Sequence, residues 1–394
     1  MRMRKTLTKL CTGSLFLAMA IVTLVGCHEI PGSSVTEGNN NSFRPGEIWL
    51  DTDSVAINAH GGGLLYHGGT YYWFGEHKTS GRGGNTAKIG IHCYSSDDLY
   101  NWKNEGVVLA SVDDTTSEIV KGCVMERPKV IYNKMTGKFV MWFHLELRGQ
   151  GYSAARTGVA VSDNVTGPYT YLRSYRPNAE EWPLNYQGKK EKQPNEEQLK
   201  WWTPEWETAL RDGLLVRRDF SKGQMSRDMT LFVDGDGTAY HIHSSEENLT
   251  MDISELTDDY TGFTGRWIRV FPGGHREAPA LFKRRGKYYM ITSGCTGWDP
   301  NAASVAVADS IWGPWKQIGN PCVGEDAELT FHSQSTCVMP VQGMDDAYIF
   351  MADRWKPKNP IDGRYIWLPI KFENEKPVIE WKDEWDLSAF KEKN

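Results

Sequence analysis

A strand-turn-strand unit written five times over constrains what this chain can fold into more than any other feature of its sequence. The unit is an apolar run, a turn carrying Gly or Asp, and a second run that opens on aromatic residues. It reads Gly63-Leu64-Leu65-Tyr66-His67 to Thr70-Tyr71-Tyr72-Trp73-Phe74, then Pro128-Lys129-Val130-Ile131-Tyr132 to Phe139-Val140-Met141-Trp142. Later copies run from Met229 to Tyr240, from Pro279 to Ile291 and from Thr336 to Met351. Gly68-Gly69, Asp234-Gly235 and Asp236-Gly237 supply the positive backbone angles that tight hairpins need. Between the hairpins, Val159 to Asp163 followed by Gly167-Pro168-Tyr169 is echoed by Val305 to Asp309 followed by Gly313-Pro314-Trp315, which brings each unit to about four strands, the content of one propeller blade. Sheets repeated around an axis leave few exposed edges, so five copies predict an all-β, five-bladed β-propeller over 43–394. A β-sandwich with coincidental hairpins is the alternative, and long amphipathic helical periodicity is scarce.

The spacing breaks once, at 176–225, in a charged segment that holds Trp201, Trp202 and Trp206. A connection of this length inside a compact domain is usually functional or disordered, and the tryptophans favour packing. The expectation is a lid or rim beside the mouth of the propeller, with Pro204 to Leu210 as a short helix opened by its proline.

The first residues bear Arg2, Arg4, Lys5 and Lys9, then an apolar run from Leu15, then Leu24-Val25-Gly26-Cys27. This is the pattern of a secretory leader over 1–26 that ends in a lipidation site at Cys27, and the run is too short for a good membrane span. The Gly-, Asn- and Ser-rich stretch within 27–42 reads as a flexible tether. The expected product is an exported lipoprotein of the cell envelope, on the outer-membrane surface or in the periplasm, touching the membrane through its lipid alone. The whole chain carries a formal charge of −6, and loss of those four cations takes it to about −10, which argues against a nucleic-acid partner. Cys93, Cys123, Cys295, Cys322 and Cys337 are odd in number and lack C-x-x-C spacing, so neither a disulfide framework nor a zinc site is legible.

Three acidic residues stand at the start of the repeated inner strand: Glu126 in Met-Glu-Arg-Pro, Asp228 in Arg-Asp-Met-Thr and Glu277 in Arg-Glu-Ala-Pro. A propeller brings these positions together on its axis. Gathered like charges raise one pKa and keep one acid protonated near neutral pH, which is what protonation of a glycosidic oxygen requires. The competing structural reading pairs each carboxylate with its own neighbour, Arg127, Arg227 or Arg276.

The Glu-Ala-Pro-Ala-Leu-Phe-Lys run at Glu277, the Glu-Arg-Pro-Lys-Val run at Glu126 and the Gly-x-Tyr-Tyr hairpins resemble glycoside hydrolase family 43 across nearly all of the chain after the tether. The resemblance implies that Glu277 is the general acid and that Glu126 stands where most members carry an Asp that tunes and orients it. Glu at that position resembles the exo-β-1,3-galactanase branch. Most members also carry a base Asp in the first inner strand, where this chain reads Asn58-Ala59-His60-Gly61-Gly62-Gly63. In the galactanase-like branch a glutamine of the fifth blade takes the water-activating role through its imidic tautomer, and Gln334 matches it. His60 is an alternative base. By the same likeness Glu76, Tyr152, Asp228, Glu247 and Asn248 line the sugar pocket, with Thr296 and Trp298 following the fourth hairpin as Glu76 follows the first; Trp298 is placed to stack on a sugar face.

The implied activity is inverting, exo-acting release of galactose from β-1,3-galactan, the backbone of type II arabinogalactan. The alternatives are an α-L-arabinofuranosidase, β-xylosidase or β-galactofuranosidase of the same family, or a surface propeller that binds glycans without cleaving them. No cofactor is expected to be required. The calcium that many members hold near the axis finds no legible ligand set here beyond His332, two residues before Gln334.

Overall fold

The computed structural model describes residues 40–391, so the leader, Cys27 and most of the tether lie outside the described residues. Strands from five consecutive stretches form five separate sheets, at 60–110, 124–175, 229–270, 277–319 and 322–380. The first four are antiparallel meanders of four strands, and the fifth gains a two-residue strand, Cys322–Val323, paired in parallel with Lys376–Glu380. Their first long strands, His60–His67, Val124–Asn133, Met229–Val233, Glu277–Arg284 and Gln334–Pro340, surround the axis. This is the five-bladed propeller that the repeat predicts.

Both faces of each blade are buried, which explains the aromatic doublets. Successive strand residues point to opposite faces: Trp73 enters the cluster between blades 5 and 1, while its neighbour Phe74 enters the cluster between blades 1 and 2. Trp142 packs between blades 2 and 3, and the flanking Met141 and Phe143 turn back toward blade 1. The seam between the last blade and the first is the most aromatic. There Trp73 lies 5.3 Å from Trp102 and 4.8 Å from Trp367, and Phe43 stacks on Trp385 at 4.3 Å. Phe43 and Trp385 also exchange backbone hydrogen bonds of 2.7 and 3.1 Å, which closes the ring. Truncating one such buried ring to alanine costs about 3–5 kcal/mol.

Gly68-Gly69 turns the first hairpin with φ of 61° and 96°, and a Cβ at either position would meet nothing within 4 Å. Backbone angle alone, not space, requires glycine there.

The 176–225 segment forms the expected helix, α1 (Pro204–Arg211), with Pro204 in its first turn and Thr203 as a cap accepting from the Trp206 N–H; α2 (Leu214–Asp219) follows. It lies along the outer strand of blade 3, where the Leu184 N–H donates to Trp267 O at 2.7 Å. Its core of Trp206, Leu210, Leu214 and Leu215 packs on Leu249. The segment thus packs along blade 3, and none of its described residues lines the pocket on the axis.

Candidate active site

The axial strands do not run straight into the pocket. Pairing with the neighbouring strand slips between His60 and Gly63, Glu126 and Lys129, Glu277 and Ala280, and Ser335 and Cys337. Such bulges bend a strand end and re-aim its side chains. In three blades the residue after the slip is left-handed: Gly61 at φ 60°, Arg127 at 55° and Ala278 at 53°. Glu126 and Glu277 are thereby aimed into one pocket of about 200 Å³, which Asp228, just before its unbulged strand, lines together with Glu76, Tyr152, Asn248, Trp298 and Gln334.

Arg127 is the hub. Buried, it donates to Ser335 O at 2.8 Å, to Asp228 Oδ2 at 2.9 Å and to Gln334 Oε1, and its guanidinium lies 5.3 Å from the Trp355 ring centre. Its backbone N–H donates to Glu76 Oε1 at 3.0 Å, and Glu76 also pairs with Lys78. Burial raises the Glu76 carboxyl, with Lys78 offsetting part of the rise. A Cβ on residue 61 would sit 2.1 Å from Glu76 Oε1, so the glycine run of the first blade makes room for this carboxylate.

Glu126 accepts from Tyr152 OH at 2.7 Å and Asn85 Nδ2 at 2.9 Å through one oxygen, and faces His144 Nδ1 at 3.1 Å through the other. His144 Nε2 meets Glu146 at 2.9 Å. Burial disfavours the imidazolium, yet the hydrogen bonds and charges of the two glutamates push His144 up to about 9. Burial likewise works against the Glu126 carboxylate, but the hydrogen bond and charge of His144, with Lys78 and Asn85, hold it well below the usual range. Glu126 is therefore ionised.

Glu277 has the opposite surroundings. It accepts from Asn248 Nδ2 at 2.8 Å and Gln334 Nε2 at 3.3 Å. Burial and the Asp228 charge outweigh Arg127 and push it up to about 7. Asn248 closes a run of three left-handed residues, Glu246 at 49°, Glu247 at 60° and Asn248 at 64°. Such backbone is costly and persists only when its surroundings over-determine it. Here Arg269 grips Glu246 at 2.6 and 2.8 Å while donating to Leu210 O and Arg211 O of α1.

Several expected residues lie elsewhere. Glu247 faces away from the pocket and bridges Arg218 and Arg227 at 3.1 and 3.0 Å. Thr296 spends its hydroxyl inside its own loop, donating to Asp299 O at 2.6 Å, and it is Gly297 and Trp298 that reach the wall. His60 is buried behind the pocket, stacked on Tyr365 at 5.2 Å with Asp353 3.6 Å away. His332 belongs to the 3-10 segment Ala327–His332, so strand alternation does not apply to it, and it turns outward to Asp326 at 3.0 Å. None of the three arginines pairs with its own neighbouring carboxylate: Arg127 reaches Asp228, Arg227 reaches Glu247 and Arg276 reaches Gln317. His144, Glu146, Lys78, Asn85 and Trp355 escaped the sequence reading, and Arg127 entered it only as a partner for Glu126. The signal for one pair was present: His144 and Glu146 share a face of an otherwise apolar strand, Lys138–Glu146.

An ionised carboxylate and a second carboxyl pushed up to about 7 line one small polar pocket at the axis of a β-propeller, the pairing that a glycoside hydrolase uses. The comparisons agree. The sequence profile of glycosyl hydrolases family 43 matches residues 212–364. A solved family 43 β-1,3-galactosidase with galactodeoxynojirimycin shares 57% identity, covers 88% of this chain and 100% of its own, and superposes with a TM-score of 0.85. An exo-β-1,3-galactanase from Clostridium thermocellum shares 36% identity over 87% of this chain and 66% of its own, TM-score 0.71. One from Phanerochaete chrysosporium with β-1,3-galactotriose shares 32% identity over 88% and 68%, TM-score 0.71. No curated protein sequence matches. The chain belongs to glycoside hydrolase family 43.

All five cysteines among the described residues are free.

Proposed function

We propose that this protein is an inverting, exo-acting hydrolase that releases galactose from the ends of β-1,3-galactan. The observation that carries the reading is the split between Glu277, titrating at about 7, and Glu126, ionised, across one small pocket. The galactosidase and galactanases it resembles supply the sugar and the linkage. Glu277 hands its proton to the glycosidic oxygen as the bond breaks, and water attacks from the other face of the ring. Glu126, locked by Tyr152, Asn85 and His144, is the fixed anion of the pocket, and Asp228 and Glu76 face the hydroxyls of the terminal sugar.

By the family resemblance Gln334 is assigned to the attacking water, whose proton its Nε2 takes as the imidic hydroxyl loses its own to solvent. That Nε2 donates to Glu277 at 3.3 Å, so the role requires this contact to open when substrate enters. The Gln334 carbonyl oxygen accepts from Arg127 and from Trp355 Nε1 at 2.9 Å, both donors without acceptor capacity. The imidic form places a proton on that oxygen, so it arises only when substrate binding frees the oxygen from these donors. Glu126, His144 and Asp228 bring three potential ligand atoms within 4.8 Å of one another. Arg127 already places a cation against Asp228, so the reading requires no metal, and a chelator is expected to leave the rate unchanged.

Export, a lipid anchor at Cys27, a tether over 27–42 and a cell-envelope location belong to the same reading, supported by the basic and apolar leader. So does the absence of a nucleic-acid partner, supported by the negative charge. The deciding experiment follows the anomer released from β-1,3-galactan by NMR, with arabinan and xylan as controls. α-Galactose appearing first, from galactan alone, is expected; β-galactose first, or no sugar, overturns the proposal.

A further inference from the structure

The 176–225 segment folds around a cavity of its own, about 410 Å³ against about 200 Å³ for the axial pocket. Two of its walls are aromatic. Trp182 stacks on Phe220 with centroids 4.4 Å apart, and Trp201 stacks on Trp206 at 4.8 Å. Trp206 is buried in the core of the segment, whereas Trp201 keeps 42% of its surface exposed. The edge is polar: Lys190 lies over the Trp182 ring at 5.5 Å, and Lys192 pairs with Glu197 at 2.6 Å. Flat rings edged by hydrogen-bonding groups suit a pyranose, which offers a C–H face to the ring and hydroxyls to the edge.

The wall between the two cavities says which pyranose. Arg218 lines the segment's cavity, Arg227 lines the axial pocket, and both donate to the single carboxylate of Glu247. That wall adjoins Asn248, which donates to Glu277, and the Trp202 ring lies 5.5 Å from His275, two residues before Glu277. A general acid stands on the side from which the leaving group departs. The departing chain therefore lies on the Glu277 side of the pocket, which is the side where the segment sits.

We infer that the cavity of the 176–225 segment is a distal subsite that takes a pyranose from the leaving part of the galactan chain, with Trp201 as its stacking platform. The inference rests on the exo-galactanase reading above.

The test compares a long β-1,3-galactan with an aryl β-galactoside, whose leaving group is too short to reach the cavity. Trp201→Ala is expected to raise KM on the long substrate about tenfold, the upper end for one stacked ring, with kcat and the aryl substrate unchanged. Trp201→Phe, which keeps a ring, restores most of the loss. Lys192→Ala, on the exposed edge, gives a smaller selective rise of about threefold and answers the question even where removal of Trp201 disturbs folding. Equal losses on both substrates, or none on either, overturn the subsite alone. Wild-type protein that releases galactose from neither overturns the galactanase reading and the subsite with it.

Discussion

The axial ends of blades 2 and 4 carry a glutamate at equivalent points of the repeat, just before a left-handed residue, yet Glu126 is ionised and Glu277 holds its proton to about 7. Burial pushes both upward. The difference lies in who stands opposite: an imidazolium, an amide and a phenol around Glu126, but around Glu277 an anion, Asp228, that together with burial outweighs Arg127, the amide donors and the Cys295 thiol. A repeat thus places side chains in equivalent positions, and the inserted loops and neighbouring blades set their chemistry.

The sharpest way to break this comparison is Glu277→Gln, which keeps the shape and removes the proton. Galactose release from β-1,3-galactan is expected to fall about 10³-fold with the fold intact by circular dichroism. A loss under tenfold would take the acid role away from blade 4. Glu126→Gln comes next, with an expected loss of about 10²-fold. It also removes one of the two anions that hold His144 at about 9, so the imidazole titration followed by NMR moves down; an unmoved His144 would contradict the pairing.

Asp228→Asn acts on the asymmetry itself. Glu277 must be protonated to work, so its pKa sets the alkaline limb of the kcat/KM profile, near pH 7. Removing the Asp228 charge and freeing Arg127 both lower that pKa, and the limb shifts to lower pH. A shift upward would show that another group governs it. The smallest effect is on stability. Because the folded pKa of His144 is raised, its contribution is fully present below its ordinary value of 6.5 and is lost as pH rises through about 9. The melting temperature of the wild type should therefore exceed that of His144→Gln most clearly in acid, with the gap narrowing as pH rises from 6.5 to about 9.

The propeller was readable because each blade repeats the same pattern and a hairpin is a local event. Glu126, Asp228 and Glu277 were readable because position within the repeat predicts position on the axis, and Gln334 because it matches the fifth-blade glutamine of the galactanase-like branch. Arg127 and His144 were not, since their meaning depends on partners 101 and 18 residues away. Glu247 and Thr296 share a loop with pocket residues, and only three-dimensional packing decides which members of a loop turn inward. The bulges were equally hidden: a one-residue slip leaves no mark on an alternating apolar pattern, yet it re-aims the side chains.

The Phe43–Trp385 clasp bears on when the protein becomes competent. Gln334 and Trp355 of the last blade must reach Arg127 of the second, and Gly61 must donate to Asp353 at 2.6 Å. These contacts join early and late parts of the chain. A polypeptide still emerging from the ribosome has no assembled pocket until the last blade is free to dock against the first, so the enzyme stays inert through its synthesis.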